Sequence, residues 1–182
     1  MKKCLIGITD YIGKDIIIRI DRKTIDARYP EGFVVGLSDR LLLLQEIDST
    51  SLVPDGYLVL RLSDISAYRV DTTFITRALR LLNRKPILPP EIDLTDWANL
   101  LTSVQRQYPL LMIETEKIAP KCGFIGRIIH QTARYVELEE VDMQGEWDEK
   151  EQFAFKDITQ VAFGNGYISA LAYLIAHKSH SI

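Results

Sequence analysis

Between residues 16 and 70, apolar residues come in short runs and alternations broken by turn-forming residues, the pattern of strands and not of a long helix. Ile16, Ile18 and Ile20 alternate with Ile17, Arg19 and Asp21, predicting a half-buried strand that Arg22 and Lys23 end in a turn. EGFVVGLSD and RLLLLQEID predict two more strands pivoting on Ser38, Asp39 and Arg40. PDGYLVLRLSDISAYRV opens on Pro54, Asp55 and Gly56 and breaks at Ser63 and Asp64, predicting one strand that bends into the next. The period then changes. In DTTFITRALRLLNR, Phe74, Ile75, Ala78, Leu79 and Leu82 recur at helical spacing, with Asp71 or Thr72 as N-cap and Arg77, Arg80 and Arg84 off the apolar face. KPILPPE (85–91) carries Pro86, Pro89 and Pro90, so it cannot continue the helix and predicts a stiff, extended linker.

The second half repeats this order. DLTDWANLLTSVQRQYP predicts a leading helix capped by Asp93 or Thr95, with Trp97, Leu100, Leu101 and Val104 on one face. Its counterpart in the first half, CLIGITDYIG, is shorter and poorly helical. LSDISAYRVDTTFITRALRLL (62–82) and FKDITQVAFGNGYISALAYLI (155–175) align without a gap at an offset of 93, and Asp64, Ile65, Ile75 and Leu81 meet identical residues. Upstream, LLLLQEID (41–48) lies opposite YVELEEVD (135–142) and IIIRIDRK (16–23) opposite LLMIETEK (110–117), both at 94, and GFVVG (32–36) opposite GFIGR (123–127) at 91. A diverged duplication leaves such offsets, because loops absorb insertions while a slip inside a strand would turn its buried face outward. The expected architecture is mainly β with flanking helices: a first unit over 1–84, a Pro-rich linker over 85–91, and a second unit over 92–182.

A strand followed by GFVVGLSDRLLLLQEID and then LRLSDISAYRV resembles the Sm/Lsm small β-barrel, a strongly bent five-stranded sheet of the SH3-like kind. The segment 32–48 is similar to that family's first motif and 58–70 to its second; GFIGRIIHQTARYVELEEVD and FAFKDITQVAF give the same outline in the second unit. The resemblance implies two tandem Sm-like barrels, a two-barrel variant of bacterial type. RNA-binding members carry an Asn shortly after the Asp of the first motif and an Arg-Gly pair in the second. Here Asp39 is followed by Arg40 and leucines, and the second-motif positions hold Arg61-Leu62 and Ala154-Phe155, so the resemblance implies that the usual RNA pocket is missing. Barrels of this family also associate edge to edge, which implies a strand edge that can hold a partner.

The 182 residues are 47% hydrophobic, enough to fill a core in one or two domains and too apolar for a disordered tail. A net charge of −3 gives no overall pull toward nucleic acid or an anionic membrane. The charge is uneven: 1–91 hold 14 Lys and Arg against 12 Asp and Glu, 92–182 hold 8 against 13, so a basic surface belongs to the first half. Cys4 and Cys122 read as reduced structural thiols. The opening MKKCLIGITDYIG is broken by Gly7, Thr9 and Asp10 and does not read as a secretory signal, and no stretch reaches the ~18 apolar residues of a membrane helix. A soluble, cytoplasmic protein is expected.

EEVDMQGEWDEKE (139–151) gathers seven carboxylates and is read as a solvated hairpin loop between the third and fourth strands of the second unit. Trp147, flanked by Glu146 and Asp148, is its candidate anchor for a protein partner. The spacing does not match a calcium loop. Arg77, Arg80, Arg84 and Lys85, with Arg22, Lys23 and Arg28, form the strongest basic cluster, an alternative face for nucleic acid or simply the wet side of a helix. His177 and His180 lack a third metal ligand nearby, and Cys122 with His130 makes a catalytic pair only where the fold brings them face to face. No phosphate-loop, dinucleotide, zinc-protease or hydrolase motif occurs, so no cofactor and no catalysis are expected. GYISALAYLIAH leaves almost no polar side and calls for burial against the other unit, the Trp97 helix or a second copy, the last giving a homo-oligomer. These features point to a non-enzymatic adaptor that holds a protein through a barrel edge or the Trp147 loop, with a nucleic-acid binder as the alternative.

Overall fold

The computed structural model of the chain describes residues 5–22, 25, 29–48, 50–89 and 91–178. Cys4, Lys23, Arg28 and His180 fall outside the described residues. The protein is mainly β with three helices, and it divides into two compact units, Met1–Asp96 and Trp97–Ile182.

The first unit holds β1 (Ile17–Asp21), β2 (Glu31–Leu37), β3 (Leu41–Asp48), β4 (Val53–Arg61), β5 (Ala67–Val70) and α1 (Phe74–Leu81). Its antiparallel strands run in the order β5-β1-β2-β3-β4. β1 is not the half-buried strand that alternation suggests. It lies between β5 and β2, and Ile17, Ile18, Ile20 and Asp21 are all buried, leaving only Arg19 at the margin, paired with Glu31 at 2.7 Å. The polar break at Ser63 and Asp64 forms a short 3-10 turn, Leu62–Asp64, which carries the chain from β4 to β5.

Two bulges bend the hairpins, one in β2–β3 between Val34 and Gly36 and one in β3–β4 between Gln45 and Ile47. At the bend β2 passes close over β3. A Cβ at Gly32 would stand 2.1 Å from the Gln45 carbonyl oxygen, so only glycine allows the approach.

α1 starts one residue later than the expected cap. Thr73 is the N-cap, its Oγ1 accepting from the Ile75 N–H at 3.4 Å. Asp71 instead sits buried beneath the first turn and accepts from the hydroxyls of Thr73 and Thr76, each at 3.0 Å. These bonds fix the rotation of the helix. Thr76 and Leu79 face inward, while Phe74 and Leu82, expected on the buried face, are exposed.

The Pro-rich stretch is pinned to the first unit. The Ile87 N–H donates to Gln45 Oε1 at 2.7 Å, and the Tyr57 hydroxyl donates to the Ile87 carbonyl at 3.1 Å. These contacts give the buried Gln45 its partner.

The second unit holds α2 (Trp97–Gln105), β6 (Leu111–Glu114), β7 (Gly123–Gln131), β8 (Tyr135–Val141), β9 (Trp147–Ala154), β10 (Gln160–Phe163) and α3 (Gly166–Lys178). The strand order is β10-β6-β7-β8-β9. α2 buries Trp97, Leu100, Leu101 and Val104 and is tied to β7 by Gln131 Nε2, which donates to Ala98 O and Thr102 Oγ1, both at 3.0 Å. Bulges fall between Ile128 and His130 and between Glu139 and Val141. A Cβ at Gly126 would meet the Glu139 carbonyl oxygen at 2.3 Å.

Three further expectations need correction. Neither unit closes into a barrel: the four residues of β5 form their ladder with β1 and those of β10 theirs with β6, and β5 does not pair with β4, nor β10 with β9. The acidic segment 139–151 is not a loop. Its residues end β8 and begin β9, with only Asp142–Glu146 turning between them, because an end strand can carry charge along its exposed face and still make a full ladder with its one neighbour. α3 is not wholly buried. Lying on the unit with one face, it buries Ile168 and Leu171 and leaves Tyr167, Tyr173 and Leu174 exposed.

Candidate functional site

β9 is the end strand of its unit. It pairs with β8 along one side, and among the described residues no strand pairs its other side. Asp148, Glu149, Lys150, Glu151 and Gln152 are all exposed, and Phe153 alone is buried. The result is an open row of backbone donors and acceptors flanked by carboxylates.

The turn that leads into β9 is built from the chain's own polar groups. Asp142 Oδ1 accepts from the N–H groups of Gln144 and Glu146 at 2.9 and 2.8 Å, and Gly145 takes the positive φ that the turn requires. Trp147 follows as the first residue of β9. It is half-buried and packs against the cluster of Leu110, Val141, Ile168 and Leu171, so α3 holds it from beneath. The Arg127 guanidinium lies 3.9 Å from its ring centroid and is itself fixed by Glu139, with Nε to Oε2 at 2.7 Å. Glu146 pairs with Lys178 at 2.5 Å, and Asp148, the next residue along β9, is exposed. Trp147 is thus the support on which the acidic strand rests.

Glu140 faces this strand from β8. Burial, a hydrogen bond to Glu151, and the charges of Glu151, Asp148 and Glu149 push its carboxyl up to about 7. A carboxyl raised on folding favours the protonated folded state, so its stabilisation is full below the ordinary value of 4.5 and is lost as pH rises through about 7. Glu140→Gln removes that loss. Because the group is largely solvent-screened, the expected gain at pH 8 is about 1 kcal/mol, with no gain at pH 4, read as the difference in denaturation midpoint at the two pH values.

Of the basic candidates, Arg77, Arg80, Arg84 and Lys85 occupy α1 and its exit, whereas Arg22, expected with them on the surface, follows β1 and is buried. Arg77, Arg84 and Lys85 are exposed, and no ion pair or hydrogen bond from their side chains is present among the described residues. Arg80 is engaged, its Nε donating to the Asp15 carbonyl at 3.2 Å. A cleft of about 320 Å³ lies between Arg77, Arg80, Thr72 and Thr73, with Asp71 and Thr76 in its wall.

Two further exposed arginines, Arg40 and Arg134, stand on hairpin turns built alike. Ser38 Oγ accepts from the N–H groups of Arg40 and Leu41 at 3.1 and 3.0 Å, and Thr132 Oγ1 accepts from those of Arg134 and Tyr135, both at 3.2 Å. Each turn exposes an arginine at its tip. The signal was in the sequence, as Ser-x-Arg and Thr-x-Arg at a separation of 94.

The remaining candidates come apart. Cys122 precedes β7 and His130 lies near its far end, roughly 26 Å away at strand rise, so they form no dyad. His177 stacks on Tyr173. Among the described residues no group of three His, Cys, Asp or Glu side chains is placed to hold a metal, and no helix is long and apolar enough to cross a membrane.

Comparison with protein-family models, with curated proteins and with solved structures finds no match for this chain.

Proposed function

We propose that this protein is a non-enzymatic adaptor that holds a basic protein segment along β9. The observation that carries this reading is the unpaired side of β9, flanked by the exposed Asp148, Glu149 and Glu151. A strand laid against it would gain backbone hydrogen bonds, and its side chains would meet carboxylates. The same charges that turn away an apolar or acidic strand select a basic one. Trp147 and Arg127 keep the start of β9 in place for docking.

This reading includes an internal duplication of an Sm-like unit. Its support is the pairing scheme. Ile18 pairs with Gly32 and Val70, and Leu111 pairs with Gly126 and Phe163, so β1 and β5 correspond to β6 and β10 at an offset of 93. Gly32 and Gly126, the paired bulges, and the Ser38 and Thr132 turns correspond at 94. On that scheme Gly32 answers to Gly126 and not, as direct alignment of GFVVG with GFIGR suggests, to Gly123.

The alternative, an RNA-binding protein using Arg77, Arg80, Arg84 and Lys85, is the weaker reading. Arg80 is taken by Asp15, and Phe74 and Leu81 interrupt the cationic track. Native lysate treated with nuclease distinguishes the two. Wild-type protein is expected to retain a discrete partner that the Asp148→Lys/Glu149→Lys variant loses. Equal recovery on both would remove β9 from the account, and recovery only without nuclease would favour the alternative.

A further inference from the structure

The charges of β9 are sorted between its two faces. Glu151 pairs across with Leu138 and Phe153 with Val136, so Glu151 stands on the face of the buried side chains. Lys150 pairs with Glu139, which pairs in turn with Arg127, and these three share the other face. At Glu140 the register shifts: β9 sets two residues, Asp148 and Glu149, against this one residue of β8. On the far side β7 places Gly126, which has no side chain, opposite Glu140, and its Arg127 is taken by Glu139.

Glu140 and Glu151 are joined by a hydrogen bond. Two carboxylates carry no donor, so one proton lies between them, and the charges of Asp148 and Glu149 beside the pair keep it there. A strand laid antiparallel on the open side of β9 places one residue opposite Glu151, on the same face and with Cβ atoms roughly 5 Å away. A lysine or arginine there can pair with Glu151, and a cation beside the pair favours two ionised carboxylates.

We infer that a basic strand docked on β9 displaces the proton that Glu140 and Glu151 share, so that capture releases a proton to solvent and tightens as pH rises. This rests on the adaptor reading and names the regulation of its site. The same register narrows the partner. The position opposite Glu151 takes a cation, the one opposite Lys150, on the other face, an acidic residue, and the one opposite the buried Phe153 an apolar residue.

The test uses the full chain and the acetylated, amidated peptide Val-Thr-Lys-Glu-Lys, which sets those side chains in order against Phe153 through Glu149 and has no group that titrates between pH 6 and 8. Titration followed by nuclear magnetic resonance should give a dissociation constant about fivefold smaller at pH 8 than at pH 6, the change that follows when docking lowers the Glu140 midpoint by about one pH unit. The carboxyl carbon of Glu140 reports the same event directly: its shift should titrate at about 7 in the free protein, and about one pH unit lower with peptide in excess. Glu140→Gln, whose amide can donate to Glu151 as the protonated acid does, should bind the peptide equally at both pH values, with an affinity near that of wild type at pH 6. Equal wild-type affinity at the two pH values, a Glu140 midpoint near the ordinary 4.5 in the free protein, or a pH dependence that survives Glu140→Gln would overturn the inference and leave the adaptor reading standing. Failure of the peptide to bind at both pH values would remove the two together.

Discussion

Gly32→Ala and Gly126→Ala are each expected to destabilise the unit that carries them by about 3 kcal/mol or more. The added Cβ would stand 2.1 Å from the Gln45 carbonyl oxygen in the first case and 2.3 Å from that of Glu139 in the second. Those atoms belong to the backbone of a paired strand, so the clash is relieved only by moving β3 from β2, or β8 from β7. For a unit of this size the melting midpoint should fall by roughly 10 °C or more. Gly36→Ala is the control. Its Cβ meets Leu94 Cδ1 at 2.8 Å, the free end of a side chain that can rotate away, and the expected cost is below about 1 kcal/mol. Thermal denaturation of the three variants measures both statements; equal stability of Gly32→Ala and Gly36→Ala would contradict the close approach at the bend.

Asp71→Ala is the second large effect, expected at about 2 to 3 kcal/mol. Asp71 is buried, accepts from Thr73 Oγ1, Thr76 Oγ1 and the Thr76 N–H, and faces Arg19 Nη2 at 3.5 Å. The substitution removes the acceptor shared by the Thr73 hydroxyl and the Thr76 N–H, leaves the Thr76 hydroxyl only the backbone carbonyl of residue 71, at 3.0 Å, and frees the start of α1. Burial alone would raise this carboxyl, but the hydrogen bonds from Thr73 and Thr76 outweigh it and hold Asp71 below the usual carboxylate value. A carboxylate depressed on folding contributes stability above its unfolded value, near 3.8, and that contribution is lost as pH falls through the lower folded value. The gap between wild type and Asp71→Ala should therefore be full at pH 7 and narrow below pH 4, measured by urea denaturation at both. A gap independent of pH would mean that lost packing dominates.

Much of the fold was legible because the first unit writes its strands in leucine, isoleucine and valine. RLLLLQEID and the polar break at Ser63 and Asp64 announce β3 and the turn from β4 to β5 directly. The second unit hides its end strand. WDEKEQFA carries its charges on an exposed strand, where nothing apolar marks the alternation, and so it reads as a loop. The face of α1 was misread for a different reason. Helical periodicity locates an apolar stripe, but the Asp71 bonds to Thr73 and Thr76 choose which side turns inward, and that choice leaves Phe74 outside. Pairing register was invisible too, since nothing in GFIGR marks which of its residues stands opposite Leu111 in the ladder with β6. Of the candidate site, Trp147 and its acidic neighbours were found by composition, while the unpaired side of β9 and the support from Arg127 depend on long-range pairing.

The state of β9 in the free protein is the most direct test of the adaptor reading. Residue-resolved amide hydrogen exchange should show fast exchange at alternate positions between Asp148 and Phe153, where the N–H points away from β8, and protection at the positions between them. Addition of the captured partner should slow the fast set and leave α1 unchanged. Uniform protection along β9 in the free protein, or partner-induced protection confined to α1, would contradict an adaptor that works through this strand.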